Sequence, residues 1–387
     1  MKAFVTIYSP LELFPPSINA IESLSKACEN VEVITTYNIL DSWVFPSNVK
    51  VRYIAQIHHS PSKNNAFRNI FKYLKYCLAV SSALWKKKFD FALLFDPHAT
   101  FAYWMAGFFL IKKTKLVWYH NHDVLEIAYQ RILSPGWLGI KSQNFFFRRL
   151  DIFSLPSDER KQYFPLAKFR GKYFFLPNYP SSEFYKKFKK ENKLKEELRI
   201  IYQGRIAEGH GLEEIISILN RPLNGFKLKL VLKGFIGDKY KNKLLALAAK
   251  NGTVNSIEFY GISDYSKVPE ITSQCHIGIA IHTKVDIMNS TLGTSSNKIY
   301  EYAALGLPVL LYDNEHFRKH LQSYKWAFFT DCSTSSLEKQ ISEIVANYNY
   351  YSSEASNDFL GKLNFDVHFS KVVQYITEIL NNYKKPV

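Results

Sequence analysis

Short, almost uninterrupted apolar runs alternate with longer stretches of helical periodicity from one end of this 387-residue chain to the other. Candidate strands are Ala3–Tyr8, Val31–Tyr37, Val49–Ile54, Phe91–Phe95, Leu116–His120, Ile152–Pro156 and Tyr173–Leu176. A second series follows at Ile200–Gln203, Leu228–Leu232, Ile257–Tyr260, Ile277–Ile281, Pro308–Tyr312 and Ala327–Thr330. Strands that are apolar on both faces and separated by helices belong to parallel sheets covered on both sides. Two such series predict two doubly wound α/β domains. Between them, Leu176-Pro177-Asn178-Tyr179-Pro180-Ser181-Ser182 and the charged stretch Lys186–Arg199 have the composition of a linker. The predicted domains are therefore 1–178 and 179–365. In the remainder, 366–387, Val372, Val373, Ile376, Ile379 and Leu380 fall at helical spacing, which predicts a terminal helix packing back towards the first domain.

Composition narrows the class. Hydrophobic residues make up 47 % and charged residues 22 %, a balance that excludes a disordered chain. Cys28, Cys77, Cys275 and Cys332 lie far apart without a CxxC spacing, which argues against a zinc site or a disulfide framework. The first residues lack a leader pattern, and the longest apolar run, Phe101 to Ile111, is too short to span a bilayer, so the expected location is cytoplasmic. Fifty Lys+Arg against 34 Asp+Glu give a net charge of +16, which favours an anionic partner. Residues 1–178 hold 23 basic and 12 acidic side chains, a net of +11, and the rest of the chain holds 27 and 22, a net of +5. The excess gathers in Phe67–Lys88 and Phe145-Phe146-Phe147-Arg148-Arg149, where bases interleave with aromatics. Such stretches either seat a helix in an anionic membrane surface or form a solvated helix whose aromatics belong to the core.

The most informative segment is Ser295-Ser296-Asn297-Lys298-Ile299-Tyr300-Glu301-Tyr302-Ala303-Ala304-Leu305-Gly306-Leu307-Pro308-Val309-Leu310. Ser296 or Asn297 is placed to cap a helix that Gly306 ends, and its free N–H groups and positive dipole end form a seat for phosphate. Glu301 lies one turn inside. It is not a capping-box acid, because that would need Ser or Thr where Lys298 stands. A carboxylate there accepts hydrogen bonds from the vicinal hydroxyls of a ribose.

Asn-Lys-Ile-Tyr-Glu-Tyr-Ala-Ala-Leu-Gly-Leu-Pro-Val closely resembles the donor-site signature of retaining glycosyltransferases of the group 1 class, glycosyltransferase family four. Tyr202-Gln203-Gly204-Arg205 and Gly211-Leu212-Glu213-Glu214-Ile215-Ile216 look like that class's strand, diphosphate loop and first helix of the second domain, and Leu176-Pro177-Asn178 resembles its interdomain link. The resemblance covers about residues 173–345 and is weak over the first domain. It implies the GT-B fold, two Rossmann-like domains facing each other across a cleft, and a metal-independent transfer from a nucleotide-diphosphate sugar with no further cofactor.

On this reading Glu301 holds the ribose, while Arg205, His210 and the amides from Ser296 through Asn297 to Lys298 neutralise the leaving diphosphate. Gly204, Lys233 and Gly261 complete the donor-site set. Arg205, at a strand end facing a glycine-bordered helix start, has the geometry to grip a diphosphate through paired hydrogen bonds, with a plain surface residue as the alternative. Lys233 is matched less tightly and reads as a phosphate ligand or a solvated lysine. Two positions depart from the family pattern. The second acid usually found eight residues before the helix glutamate is Gly293, so sugar contact falls to backbone or to Asn289, Ser290 or Thr294. The usual Lys or Arg before the Gly-Leu of the diphosphate loop is His210, which is charged only below its pKa.

In the first domain, Leu116-Val117-Trp118-Tyr119-His120-Asn121-His122-Asp123 ends a strand with imidazoles. It resembles the segment whose histidine lines the cleft, and His122 is the candidate catalytic residue, with Asp123 orienting it and His120 as rival. His-x-His with Asp is compatible with a metal, but no further ligand is spaced nearby. Asp96-Pro97-His98-Ala99 lines the acceptor cleft or forms a plain turn.

The expected function is retaining, metal-independent transfer of a sugar from a nucleotide-diphosphate sugar to a glycan or lipid-linked acceptor, as in cell-surface polysaccharide or lipopolysaccharide biosynthesis, at the inner face of a membrane. A nucleotide-sugar epimerase of the same fold is one alternative. A basic nucleic-acid-binding protein is the other, without a zinc-finger, RNA-recognition or helix-turn-helix signature to support it. No G-x-G-x-x-G follows the first strand of either domain, which disfavours an NAD enzyme.

Overall fold

The computed structural model describes residues 1–36, 43–54, 66–189, 194–283 and 291–383. Tyr37, Asn289, Ser290 and part of the charged linker stretch lie outside the described residues. The chain divides into two compact units, 1–178 with 365–387, and 179–364.

The first unit is built on seven strands, β1 (Lys2–Thr6), β2 (Asn30–Thr35), β3 (Val49–Tyr53), β4 (Phe91–Leu94), β5 (Leu116–His120), β6 (Ile152–Leu155) and β7 (Lys172–Phe175). All pairings are parallel, in the order β3-β2-β1-β4-β5-β6-β7. Helices α1 (Pro15–Ala27), α2 (Ala66–Lys86), α3 (Pro97–Ala106) and α4 (Pro135–Phe146) make the crossovers. Asp96 caps α3, accepting from the backbone N–H of Ala99 (2.7 Å), and also accepts from the N–H of Tyr8 at the end of β1 (2.7 Å). A carboxylate that binds two backbone donors fixes the strand ends where the sheet order reverses.

The second unit has six parallel strands, β8 (Glu197–Gln203), β9 (Lys227–Lys233), β10 (Ile257–Gly261), β11 (Ile277–Ala280), β12 (Val309–Tyr312) and β13 (Ala327–Thr330), in the order β10-β9-β8-β11-β12-β13. Its helices are α5 (Ser182–Lys186), α6 (Leu212–Ile218), α7 (Asp238–Lys250), α8 (Val268–Thr272), α9 (Leu292–Ser295), α10 (Asn297–Ala304), α11 (Glu315–Leu321), α12 (Thr334–Ala346) and α13 (Tyr348–Gly361). Each predicted run forms a strand, with ends shifted by a few residues. The terminal helix α14 (Phe365–Asn382) belongs to the first unit, with Phe369 against Trp118 (centroids 5.4 Å) and Tyr375 against Phe174 (5.4 Å).

In the second unit the order reverses between β8 and β11, which pair only at Ile277–Ile200 and Gly278–Ile201. Beyond that point α10 fills the opening. The Tyr302 ring packs over Gly278, where a Cβ would lie 2.2 Å from the ring. Its hydroxyl accepts from the Gln203 N–H (3.0 Å) and faces the Ile279 carbonyl (3.4 Å). One tyrosine thus satisfies the backbone donor that the diverging strands leave unpaired. Gly306, at φ 75, turns the chain out of α10 towards β12.

Gly278→Ala therefore overpacks a rigid site and should lower the stability of the second unit by about 1–3 kcal/mol. Urea denaturation checks this, and an unchanged midpoint contradicts the Tyr302 seat.

Candidate active site

The C-terminal ends of parallel strands, at the point where strand order reverses, are where ligands bind in open α/β sheets. In the second unit these ends are Gln203-Gly204-Arg205 after β8 and His282 after β11, with the first turn of α10 beside them. Glu301, one turn into α10, is only 5 % exposed. The Gln203 side-chain amide donates to its carboxylate, and the Gln203 oxygen accepts from Thr272 Oγ1 (2.7 Å). Burial pushes the Glu301 pKa up to about 7, while the Tyr185 and Tyr265 hydroxyls, Gln203 and the Lys298 charge act against that rise.

Lys298 heads a second group of side chains. Its ammonium donates to the Tyr202 hydroxyl (2.7 Å), lies 4.2 Å from the Tyr202 ring centroid and is 3.5 Å from His282 Nε2. The His210 ring stacks on Tyr202 (4.8 Å) and meets His282 edge-on (4.8 Å), centroid to centroid. Burial lowers the Lys298 pKa to about 7, with Glu301 opposing. Burial, then the Lys298 and His210 charges, hold His282 down at about 2, so His282 is a neutral imidazole. Gly204, at φ 116, borders the same group, and a Cβ there would sit 3.7 Å from Lys298 Nζ. A cation held so closely among aromatic rings and a neutral imidazole gains from the arrival of an anion.

The remaining candidates fall around these groups. Ser296 stands at the N-cap of α10, but its hydroxyl makes no capping bond. Among the described residues, the buried Asn297 Oδ1 and Thr294 Oγ1 have no hydrogen-bond partner. Arg205 is exposed directly after β8, its carbonyl accepting from Tyr202 (3.0 Å). Lys233 is not a solvated lysine, for it is 2 % exposed and its ammonium donates to the Gly261 carbonyl (2.7 Å). The Lys233 carbonyl accepts from the Gly204 N–H (2.9 Å), which links this pair to the β8 loop. At Gly293, a Cβ would lie 2.7 Å from the His320 ring, and the Gly293 N–H donates to His316 Nε2 (2.7 Å). Two imidazoles of α11 therefore occupy the space where the expected acid would have to start.

In the first unit His122 is buried, with Nε2 2.7 Å from Ser17 Oγ. Its ring stacks on Phe95 (4.8 Å, 10°), and burial holds its pKa well below 6.5. His120 bonds Ser154 Oγ through Nδ1 (2.8 Å), and burial lowers its pKa to about 3. Asp123 does not orient His122 as expected. Its carboxylate lies 3.9 Å from Arg160, and Arg160 in turn donates to the His122 carbonyl. The aspartate therefore pairs with Arg160 and not with the imidazole. Asp96 is a helix cap, as described above, and His98 stacks on Tyr8 (4.8 Å).

His282, Tyr185 and Tyr265 are not among the residues singled out by sequence, and Tyr202 and Gln203 appear there only as part of the strand motif, without a role of their own. His282 carried a usable signal, because it follows an apolar strand as His120 and His122 do.

With this geometry in place, residues 183–358 match the family of group 1 glycosyl transferases. The chain carries a group 1 glycosyltransferase domain. It is accordingly an enzyme of the glycosyltransferase class. No match is found among curated protein sequences. Among solved structures, a sucrose-phosphate synthase from Thermosynechococcus elongatus is similar with a TM-score of 0.67 at 12 % identity, over 99 % of this chain and 100 % of that one. The Anabaena protein HepE, in complex with UDP and glucose, gives 0.63 at 13 % identity over 99 % and 100 %. WaaG, a glycosyltransferase involved in lipopolysaccharide biosynthesis, gives 0.60 at 14 % over 97 % and 100 %. These likenesses establish the fold, which is GT-B with two Rossmann-like units.

The Glu301 carboxyl supplies a pH test of the glycosyltransferase domain. Its folded pKa is raised to about 7 from an ordinary 4.5, so the folded state holds the proton more tightly than the unfolded one. Its contribution to stability is full below pH 4.5 and is lost as pH rises to about 7. Glu301→Gln should remove about 2–3 kcal/mol of this pH-dependent loss. Urea midpoints of both proteins across that range measure it. Parallel profiles contradict a carboxyl buried in this way.

Proposed function

We propose that the enzyme is a retaining, metal-independent glycosyltransferase that takes its sugar from a nucleoside-diphosphate sugar. The observation that carries this reading is the convergence of Lys298, Gly204, His210 and Glu301 on the first turn of α10. Glu301 accepts the ribose hydroxyls, displacing the Gln203 amide. The diphosphate lies against the α10 amides from Ser296 to Lys298, with the Lys298 ammonium and the exposed Arg205 completing its charge balance. The unsatisfied Asn297 Oδ1 and Thr294 Oγ1 supply acceptors for donor hydroxyls. Lys233, fixed to Gly261, shapes the loop rather than contacting phosphate.

Negative charge grows on the leaving diphosphate as the sugar–oxygen bond breaks, so fixed cationic and N–H donors at that point lower the barrier directly. We read the transfer as front-face attack by the acceptor hydroxyl, with the departing phosphate taking its proton. His122 of the first unit is the proposed catalytic residue beside the donor sugar, a neutral imidazole held by Ser17. Uridine is the first base to try, since the HepE structures hold UDP, UDP with glucose, or UDP-glucose. The acceptor is a glycan or a lipid-linked glycan at the inner face of a membrane, in cell-surface polysaccharide or lipopolysaccharide assembly. An anionic membrane surface is a further partner, and no nucleic acid is involved.

Titration calorimetry with UDP tests the donor site. Glu301→Ala and Arg205→Ala should each weaken binding by about 1.5–3 kcal/mol, the range for charge-assisted hydrogen bonds. Unchanged affinity in a folded variant removes that residue from the site. On this reading protein cations do the work of a metal, so sugar transfer should persist in excess EDTA. Full loss restored by magnesium or manganese overturns the metal-free reading.

A further inference from the structure

The first unit buries one side of α2 through Tyr73, Tyr76, Cys77, Val80 and Leu84, yet its opposite side is also apolar. Phe71, Leu74, Leu78 and Trp85 form an exposed stripe along about 21 Å of helix, with Leu78 67 % exposed. The stripe does not end with the helix. Trp85 donates to the Ala106 carbonyl (2.9 Å) and meets Phe108 edge-on (6.3 Å), the start of an exposed run Phe108-Phe109-Leu110-Ile111. Phe108 and Phe109 adopt left-handed backbone (φ 51 and 61), and the turn they make leaves Phe108 69 % and Leu110 72 % exposed. Arg149 holds this turn by donating to the Phe109 carbonyl. Exposed apolar residues are ordinary one at a time, but this many on one helix face and the turn beside it mark an interaction surface.

Cations surround the patch. Lys75 lies over the Phe71 ring (4.8 Å), Lys113 over Trp85 (3.0 Å), and Arg148 and Arg149 over Phe145 (4.9 and 4.7 Å). Lys86 and Lys88 are exposed at the end of α2. Glu32, Asp151 and Asp90 pair with Lys87, Lys112 and Lys115 and not with those six bases. Aliphatic stems over aromatic rings with the charged ends outward match an apolar layer lying beneath an anionic one.

We propose that this face, the outer side of α2 with the 108–111 turn and its basic rim, docks the enzyme on an anionic lipid bilayer, the turn entering the headgroup boundary. The proposal rests on the membrane-proximal acceptor reading above and names the surface that serves it. A second copy of the chain is the poorer occupant, because a two-fold contact through this face would bring the same cations together.

Co-sedimentation of the full chain with phosphatidylglycerol–phosphatidylcholine vesicles and with pure phosphatidylcholine vesicles tests it. Binding to the anionic vesicles, weakened by salt, is expected. Leu110→Ser with Ile111→Ser, and separately Lys86→Glu with Lys88→Glu, should each lower the partition coefficient at least about tenfold. Both variants should keep the wild-type affinity for UDP, which also shows that they fold. No pelleting with anionic vesicles, or equal pelleting of wild type and both variants, overturns the proposal. So does a dimer that the Leu110–Ile111 variant dissolves in the absence of vesicle binding. UDP binding without vesicle binding rejects the docking face and leaves the donor reading standing. Vesicle binding without UDP binding does the reverse.

Discussion

The seating of Tyr302 over Gly278 determines where everything else in the second unit's site can be. Strands β8 and β11 separate after two paired residues, and a side chain on either strand at Gly278 would close the opening. Because there is none, the Tyr302 ring enters and its hydroxyl binds the Gln203 N–H. That contact fixes the rotation of α10. Glu301, one residue earlier, then points at the Gln203 side chain, and Lys298, one turn earlier, points at Tyr202. A helix of eight residues has little intrinsic stability, so its position is set by packing of this kind and not by helix propensity.

The electrostatics follow from that placement. A carboxyl and an ammonium are carried into a low-dielectric region on one helix turn, and each is pushed towards its neutral form, with pKa values of about 7 for both. Their mutual attraction offsets only part of the desolvation. The neutral His282 and the stacked His210 and Tyr202 give the ammonium polar and aromatic neighbours without a full counter-charge. On the proposed reading the ligand supplies what is missing, ribose hydroxyls to the carboxylate and phosphate oxygens to the ammonium. Binding then restores both groups to their charged forms, which couples affinity to pH near neutrality.

Much of this was legible in the sequence, for identifiable reasons. Strands such as β4 and β11 are buried on both faces and are continuous apolar runs, so they could be read directly, and the helix carrying Glu301 stood out because a glycine ends it and a strand follows at once. The choice of partners was not legible. Lys233 had no sequence sign of the Gly261 carbonyl that binds it, since the two meet only when β9 and β10 pair. Asp123 stands next to His122 in sequence and points elsewhere in space. His282 was legible as a polar residue at the end of an apolar strand, but its contact with Lys298 was not. The aromatic-basic stretch of α2 could not be assigned from composition, and the structure divides it, with Tyr73 and Tyr76 in the core and Phe71 and Trp85 outside. At Gly293 the sequence showed that an acid was missing, but only the fold showed that the imidazoles of His316 and His320 fill its place.

On the proposed reading, the first turn of α10 receives the nucleoside diphosphate. A crystal structure of the protein soaked with UDP tests it most directly. Ribose hydroxyls are expected on the Glu301 carboxylate, with the Gln203 amide displaced, and the diphosphate between the α10 amides and Lys298. Nucleotide density that leaves the Glu301–Gln203 bond intact and lies away from Lys298 would contradict it.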